Sequence, residues 1–308
     1  MLQAAFQELW SELSSSLQWF LLSTESRLHW LFILSSIFLA LLVWRHQRLP
    51  LASNWRKAFG WSVWTHPSSR IDALWLVMNR LLRRFMIIPV LGSSIVLAIS
   101  INRWLYHLFG EGDLFYLPEI PLMILFTFCV FIVEDFSRFC LHLAYHKVPW
   151  LWRFHAVHHS AEVLTPLTLY RIHVLEMGIN ALRDLLVIGG VSGVFLYLFA
   201  GQISSWEIMG VGVLGFLFSA LGANLRHSHV WLSYGVLERF FISPAQHQLH
   251  HSLAPEHHDK NFGTWLSLWD RLAGSYLSSQ GQQHQVSFGL DEPAFSRSWW
   301  QQIKGWSR

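Results

Sequence analysis

The chain is short of charge. Of its 308 residues only 13% are charged, whereas 53% are hydrophobic. Soluble domains carry roughly a quarter charged residues, so much of this surface should face something other than water. Cysteine is scarce as well: Cys129 and Cys140 are the only two, which excludes a disulfide framework or a CxxC metal motif and leaves both to act as small buried hydrophobes. There is no Gly-x-Gly-x-x-Gly, hence no recognisable flavin or nicotinamide fold, and no His-Glu-x-x-His, the helix a metal-dependent hydrolase would want. A formal charge of +3 could suggest nucleic acid, but the basic residues gather beside apolar segments, as membrane topology requires, so no nucleic-acid partner is expected.

What is present in excess is apolar length, tryptophan and histidine. The 18 tryptophans suit the headgroup layer of a bilayer. Five stretches, about 29–44, 85–101, 117–134, 185–201 and 206–225, approach the roughly 17–25 residues of a membrane-crossing helix. The third contains Glu119 and the fifth contains Glu207. Residues 1–22 read as an amphipathic helix lying on the membrane rather than a cleavable signal. Residues 1–28 carry Glu8, Glu12 and Glu25 against Arg27, whereas 45–84 carry eight arginines and lysines against Asp72. Because basic residues accumulate on the cytoplasmic side, the N-terminus is expected outside and 45–84, 135–184 and 226–308 inside. The expected architecture is an all-α integral membrane protein of about five transmembrane helices under a cytoplasmic helical cap. Residues 1–84 would form an N-terminal region with the first span, and 85–308 a catalytic membrane domain.

Thirteen of the 18 histidines lie between His142 and His258, all on the expected cytoplasmic side. In EDFSRFCLHLAYH, Asp135, Arg138, His142 and His146 share one helical face at 3.6 residues per turn. His142 and His146 can then address one ion. Asp135 could accept the free ring N–H of a ligating histidine or neutralise Arg138. HAVHH (His155, His158, His159) and HQLHH (His247, His250, His251) repeat one device. The first, fourth and fifth residues share a face, and the adjacent pair can reach different ions. These eight imidazoles exceed the four or so of one tetrahedral ion and point to a dinuclear centre. Imidazole alone does not name the metal. His227 and His229 of NLRHSHV are further candidate ligands. His173 of YRIHVLE is either a ligand or part of a substrate pocket, His257 and His258 read as exposed loop residues, and His29, His46, His66, His107 and His284 stand alone.

At these residues a resemblance enters. HLAYH, HAVHH and HQLHH, in this order, resemble the three histidine boxes of the fatty acid hydroxylase/sterol desaturase superfamily of membrane di-iron enzymes. WLWRFHAVHHS, RIHVLE, SPAQHQLHH and DKNFGTWLSLWDRLAGSY extend the likeness over about residues 130–277. HHSAE and DKNFG…WDRL are most similar to alkylglycerol monooxygenase-like bacterial members. The departures are His229 where relatives often carry Asn or Glu, Val174 for Pro, and AGSY for FGTY. The resemblance implies an O2-dependent lipid hydroxylase or desaturase with two iron ions, in whose place a purified sample could carry zinc. His142, His146, His155, His158, His159, His227, His247, His250 and His251 would hold them, His229 being metal-capable too. Asp135, Glu162, Glu176 and Asp270 would support the ligands or the fold. It also implies a lipid substrate, a bacterial cytoplasmic membrane and, without a flavin or nicotinamide motif, a separate electron-transfer partner. The rival readings are an aldehyde-deformylating or zinc-dependent lipid enzyme and, from another class, a metal transporter or sensor. Transporters place such ligands near the middle of their spans.

Overall fold

A computed structural model describes residues 18, 21–23, 26–112, 114–199, 212–283 and 286–306. Every regular element in this range is helical, and the only β pairings are the isolated bridges Phe241–Leu266 and Ser252–Phe288. The helices that position the site are α1 (Trp30–His46), α2 (Leu51–Phe59), α3 (Pro67–Phe109), α4 (Glu119–Lys147), α5 (Pro149–His159), α6 (Val174–Leu198), α7 (Gly212–Ala220), α8 (Pro244–His250) and α9 (Leu268–Ala273).

Among the described residues two helices, α4 and α6, are both long and apolar enough to cross a membrane; α1 is apolar but shorter. The expected span 85–101 lies inside α3, a single helix of 43 residues, which also runs through residues 84 and 85, where a domain division was expected. Residues 206–211 of the expected span 206–225 lie outside the described residues, as does most of the N-terminal amphipathic stretch. Large apolar side chains stand exposed along these helices, among them Leu34 and Phe38 of α1, Ile99 and Trp104 of α3, and Ile120, Ile124 and Phe128 of α4. An apolar belt of this extent marks a surface covered by something other than water. Cys140 shares this exposure, so the expectation of two buried thiols fails there because it rides on the outer flank of α4, whereas Cys129 is half-buried against the α4–α6 core.

Inside the belt, α4 meets α6 through Leu122, Phe126, Val130, Phe195 and Phe199. α6 lies against α3 where side chains vanish. A Cβ on Gly189 would come within 3.0 Å of Ser94 O, and one on Gly193 within 2.7 Å of the Ile101 Cβ. Glycines one turn apart thus let two helix backbones approach closely, a familiar use of small residues where lipid gives helices no hydrophobic reason to associate.

At one end of this assembly a fully buried guanidinium ties several segments together. Arg171 pairs with Asp72 at 3.0 Å and donates to the carbonyls of Val157, Ser68, Ser160 and Ser296. The start of α3, the end of α5 and the C-terminal segment are thereby locked to one side chain. Three lone histidines do quieter work. His29, His66 and His173 cap α1, α3 and α6, each accepting a backbone N–H of the first turn through Nδ1. Such caps relieve the orphan donors at a helix start.

Candidate metal centre

Helical periodicity delivers the histidines. α4 continues beyond its apolar half to carry His142 and His146 one turn apart. α5 ends on His155, His158 and His159, and the turn of α8 carries His247, His250 and His251. A short 3-10 turn, Ala223–His227, adds His227. The structure sorts these nine into two clusters, in each of which the candidate ligand atoms all lie within 4.8 Å of one another: His142, His146, His155, His159 and His250 in one, His158, His227, His247 and His251 in the other.

The sorting follows spacing. Residues four apart point the same way, so 142/146 and 155/159 enter the first cluster and 247/251 the second. The remaining member of each HxxHH crosses to the opposite cluster: His158 to the second, His250 to the first. Adjacent histidines therefore serve different clusters, as the sequence suggested. His159 and His251 stack across the boundary at 4.4 Å.

In the five-histidine cluster every Nε2 is buried and lacks a hydrogen-bond partner. The opposite ring nitrogens explain the orientation. Nδ1–H of His142 donates to the Phe262 carbonyl at 2.8 Å, that of His250 to the Lys260 carbonyl at 2.8 Å, and that of His155 to Glu176 at 3.0 Å. Each bond leaves a lone pair on Nε2 aimed inward. Tyr145 stacks on the His155 ring at 5.1 Å.

In the four-histidine cluster the Nε2 atoms nearly touch. His227 Nε2 lies 3.3, 3.2 and 3.1 Å from those of His158, His251 and His247. One neutral imidazole nitrogen is either donor or acceptor, so three such contacts cannot all be hydrogen bonds. Four nitrogens at about 2.0–2.1 Å from one tetrahedral ion would stand ~3.3–3.4 Å apart, close to these separations. The donor sets therefore fit two cations. Burial, above all, pushes His155 down to about 3 and His158 to about 4. It lowers His159, His227, His247, His250 and His251 in the same direction, with neighbouring imidazoles adding to it. The rings are thus neutral at ordinary pH, as metal ligation requires.

The other candidates lie elsewhere. His229 is exposed and near Phe288, outside both clusters. His173 commits both nitrogens, capping α6 and donating to the Ile303 carbonyl at 2.9 Å. Glu162 sits in an outer ion pair with Arg297. Asp135 accepts neither a histidine nor Arg138; its carboxylate takes the N–H groups of Trp265 and Leu266 and the Trp269 indole. Arg138 pairs with Glu134. Asp270 accepts the N–H groups of Phe262 and Gly263 at 2.8 and 2.7 Å, and so steadies the carbonyl that orients His142. His257, expected in an exposed loop, is buried against Ser252, while His258 is exposed. The acceptors at Phe262 and Lys260 left no trace in the sequence, since they are backbone groups.

Two cavities touch both clusters and share no lining residue. One, of about 610 Å³, is walled by His146, His159, His250, His251, Arg153 and Trp306. The other, of about 450 Å³, reaches His142 and His155, then His158, His227 and His247, between α4, α6 and the Phe218 side of α7.

Comparison with known proteins bears on this centre. The family model for fatty acid hydroxylase matches residues 127–275, the stretch that holds all nine histidines. Over these residues the chain is similar to the fatty acid hydroxylase family. Relatives of this fatty acid hydroxylase-like chain include the ornithine lipid hydroxylase of Rhizobium tropici, 28% identical over 47% of this chain and 40% of the relative. Human alkylglycerol monooxygenase is 24% identical over 76% of this chain and 46% of its own length. Human cholesterol 25-hydroxylase is 26% identical over 51% and 53%. The chain spans less than half the length of the first two. No solved structure matches.

Proposed function

We propose that this chain is a membrane-embedded, O2-dependent lipid hydroxylase that holds two iron ions in its histidine clusters. The carrying observation is the convergence of nine imidazoles, seven of them buried, five of the nine presenting a buried, unpartnered Nε2 in a single cluster. Leaving so many polar atoms unpaired in a buried site costs about 1–3 kcal/mol each, which a bound cation in each cluster removes. The relatives' names, hydroxylases and monooxygenases of lipids, favour iron and C–H oxidation over zinc chemistry.

On this reading the irons, when bound, supply the oxidant formed from O2 and donated electrons that attacks an unactivated C–H bond. The residues of the chain do the rest. His142, His146, His155, His159 and His250 hold one ion; His158, His227, His247 and His251 hold the other. Phe262, Lys260 and Glu176 keep three ring protons on the outward nitrogens. The apolar flanks of α4 and α6 deliver the lipid to the 450 Å³ cavity that both clusters line, where the bound chain itself displaces water. Electrons come from a separate protein. The membrane is the bacterial cytoplasmic membrane, with the histidines on the cytoplasmic side; Arg27, expected outside from the charge bias, lines the same cavity as the histidines and so shares their side. Removal of a second hydrogen at the same centre would give a double bond instead.

His158→Ala and His250→Ala test the assignment, one in each cluster. Each is expected to lower bound metal by one ion or more and to abolish the O2-dependent mass gain of one oxygen in cellular lipids. His229→Ala should leave metal content unchanged. Full metal content in both cluster variants would defeat the proposal.

A further inference from the structure

The 450 Å³ cavity carries an unusual load of arginine: Arg27, Arg83, Arg138, Arg183 and Arg226 line it with the histidines. Two of the five are accounted for. Arg138 is paired with Glu134, and Arg183 with Asp184. Among the described residues Arg27, Arg83 and Arg226 have no carboxylate within ion-pair distance, and of these three Arg27 and Arg226 belong together. Arg226 is buried and donates to the backbone carbonyls of Ile242 and Thr264. Nη1 of Arg27 is buried without any partner. Both guanidinium groups address one aromatic ring, their carbons 4.7 and 4.6 Å from the Phe218 centroid. Phe218 in turn stacks on Trp265 at 4.3 Å.

Asp135 offsets Arg226 in part from beyond ion-pair distance, but two like charges sharing a ring, with no carboxylate paired to either among the described residues, are costly unless an anion arrives. Burial first, and then Arg226 and Arg138, pull Arg27 down to about 9, the direction expected of a cation short of counter-charge. The bias of basic residues toward one side of a membrane explains arginines that reach the headgroup layer. It does not explain Arg226, which is only 7% exposed and lines the cavity beside the histidines. Guanidinium groups match the oxygens of phosphate and carboxylate, to which they donate in pairs.

We propose that this cavity receives a lipid whose headgroup bears an oxyanion, phosphate or carboxylate, held by Arg27 and Arg226. The assignment rests on reading the cavity as the substrate site of a lipid-oxidising enzyme. Because the arginines and the imidazoles line one small chamber, the carbon presented for oxidation lies near the headgroup rather than at the far end of the tail.

The test uses the iron-loaded full chain in neutral detergent. It measures binding of oleyl phosphate, oleate, oleyl alcohol and oleylamine by tryptophan fluorescence, Trp265 lying against Phe218. The two anions are expected to bind about tenfold or more tighter than the alcohol, the amine weakest, as charged hydrogen bonds to arginine imply. Arg27→Gln should abolish the preference and Arg27→Lys restore part of it, both with unchanged iron content. Equal affinity for alcohol and phosphate, or full preference retained in Arg27→Gln, overturns the proposal. Displacement of oleyl phosphate by an equal concentration of inorganic phosphate would overturn it too, since the site would then take a free anion. Selective binding without an oxygen-bearing product under O2 and reductant would count against the oxygenase reading and still support the headgroup assignment.

Discussion

Glu176 shows how much one carboxylate can govern. It is buried and gives one oxygen to His155 Nδ1–H, while its other oxygen has no partner. Its role is to fix the tautomer and angle of a ring that faces the first cluster. Loss of such a supporting partner commonly weakens a metal site about 10–100-fold. Glu176→Ala should therefore lower metal affinity of the five-histidine cluster by that order. Glu176→Gln, which keeps an acceptor oxygen, should lose less. Titration with metal against a chelating buffer reads both, and identical affinities in the two variants would contradict the role. At this scale the sequence was legible where helical spacing speaks. HxxxH and the two HxxHH units identified eight of the nine clustered rings, and NLRHSHV offered His227 beside His229 without separating them. Asp135 was misleading for a physical reason. It shares a face with His142, but the nearest unsatisfied donors belong to the Trp265–Trp269 loop, and backbone N–H groups brought in from 130 residues away outbid a neighbour on the same helix.

The helices show the same division between local and distant information. The apolar runs that became α1, α4 and α6 were readable, because a spanning length of hydrophobic residues is a property of one segment. That residues 67–109 would form one helix was not, since its basic first half and apolar second half look like two objects in one dimension. Nor did the sequence announce why α6 carries glycines at 189 and 193, for the reason lies in Leu97 and Ile101 on another helix. A Cβ placed on Gly190, one residue away, would meet nothing within 4 Å. Gly193→Leu should therefore destabilise the protein by about 1–3 kcal/mol, the usual range for overpacking, whereas Gly190→Leu should be close to neutral. Thermal denaturation in one detergent compares the pair, and equal melting temperatures would remove the close approach as a source of stability.

For the molecule as a whole, the two clusters join segments from α4, α5, the turn at His227 and α8, so metal binding and folding are coupled. Anything that binds only the folded state stabilises it in proportion to its occupancy. Removing both ions with a chelator should lower the melting temperature by about 5–10 °C, and restoring iron should recover it. An unchanged melting temperature would mean that the rings are held in place by the helices alone.

Each histidine-rich turn is stitched into both clusters, His155 and His159 with His158 opposed, His247 and His251 with His250 opposed. On the proposed reading the first ion to bind would steady turns that both cages share, and the second would find much of its own cage already set. Loading should then proceed as all or nothing, and a cell short of iron would hold a mixture of empty and complete enzyme rather than a population of half-filled ones.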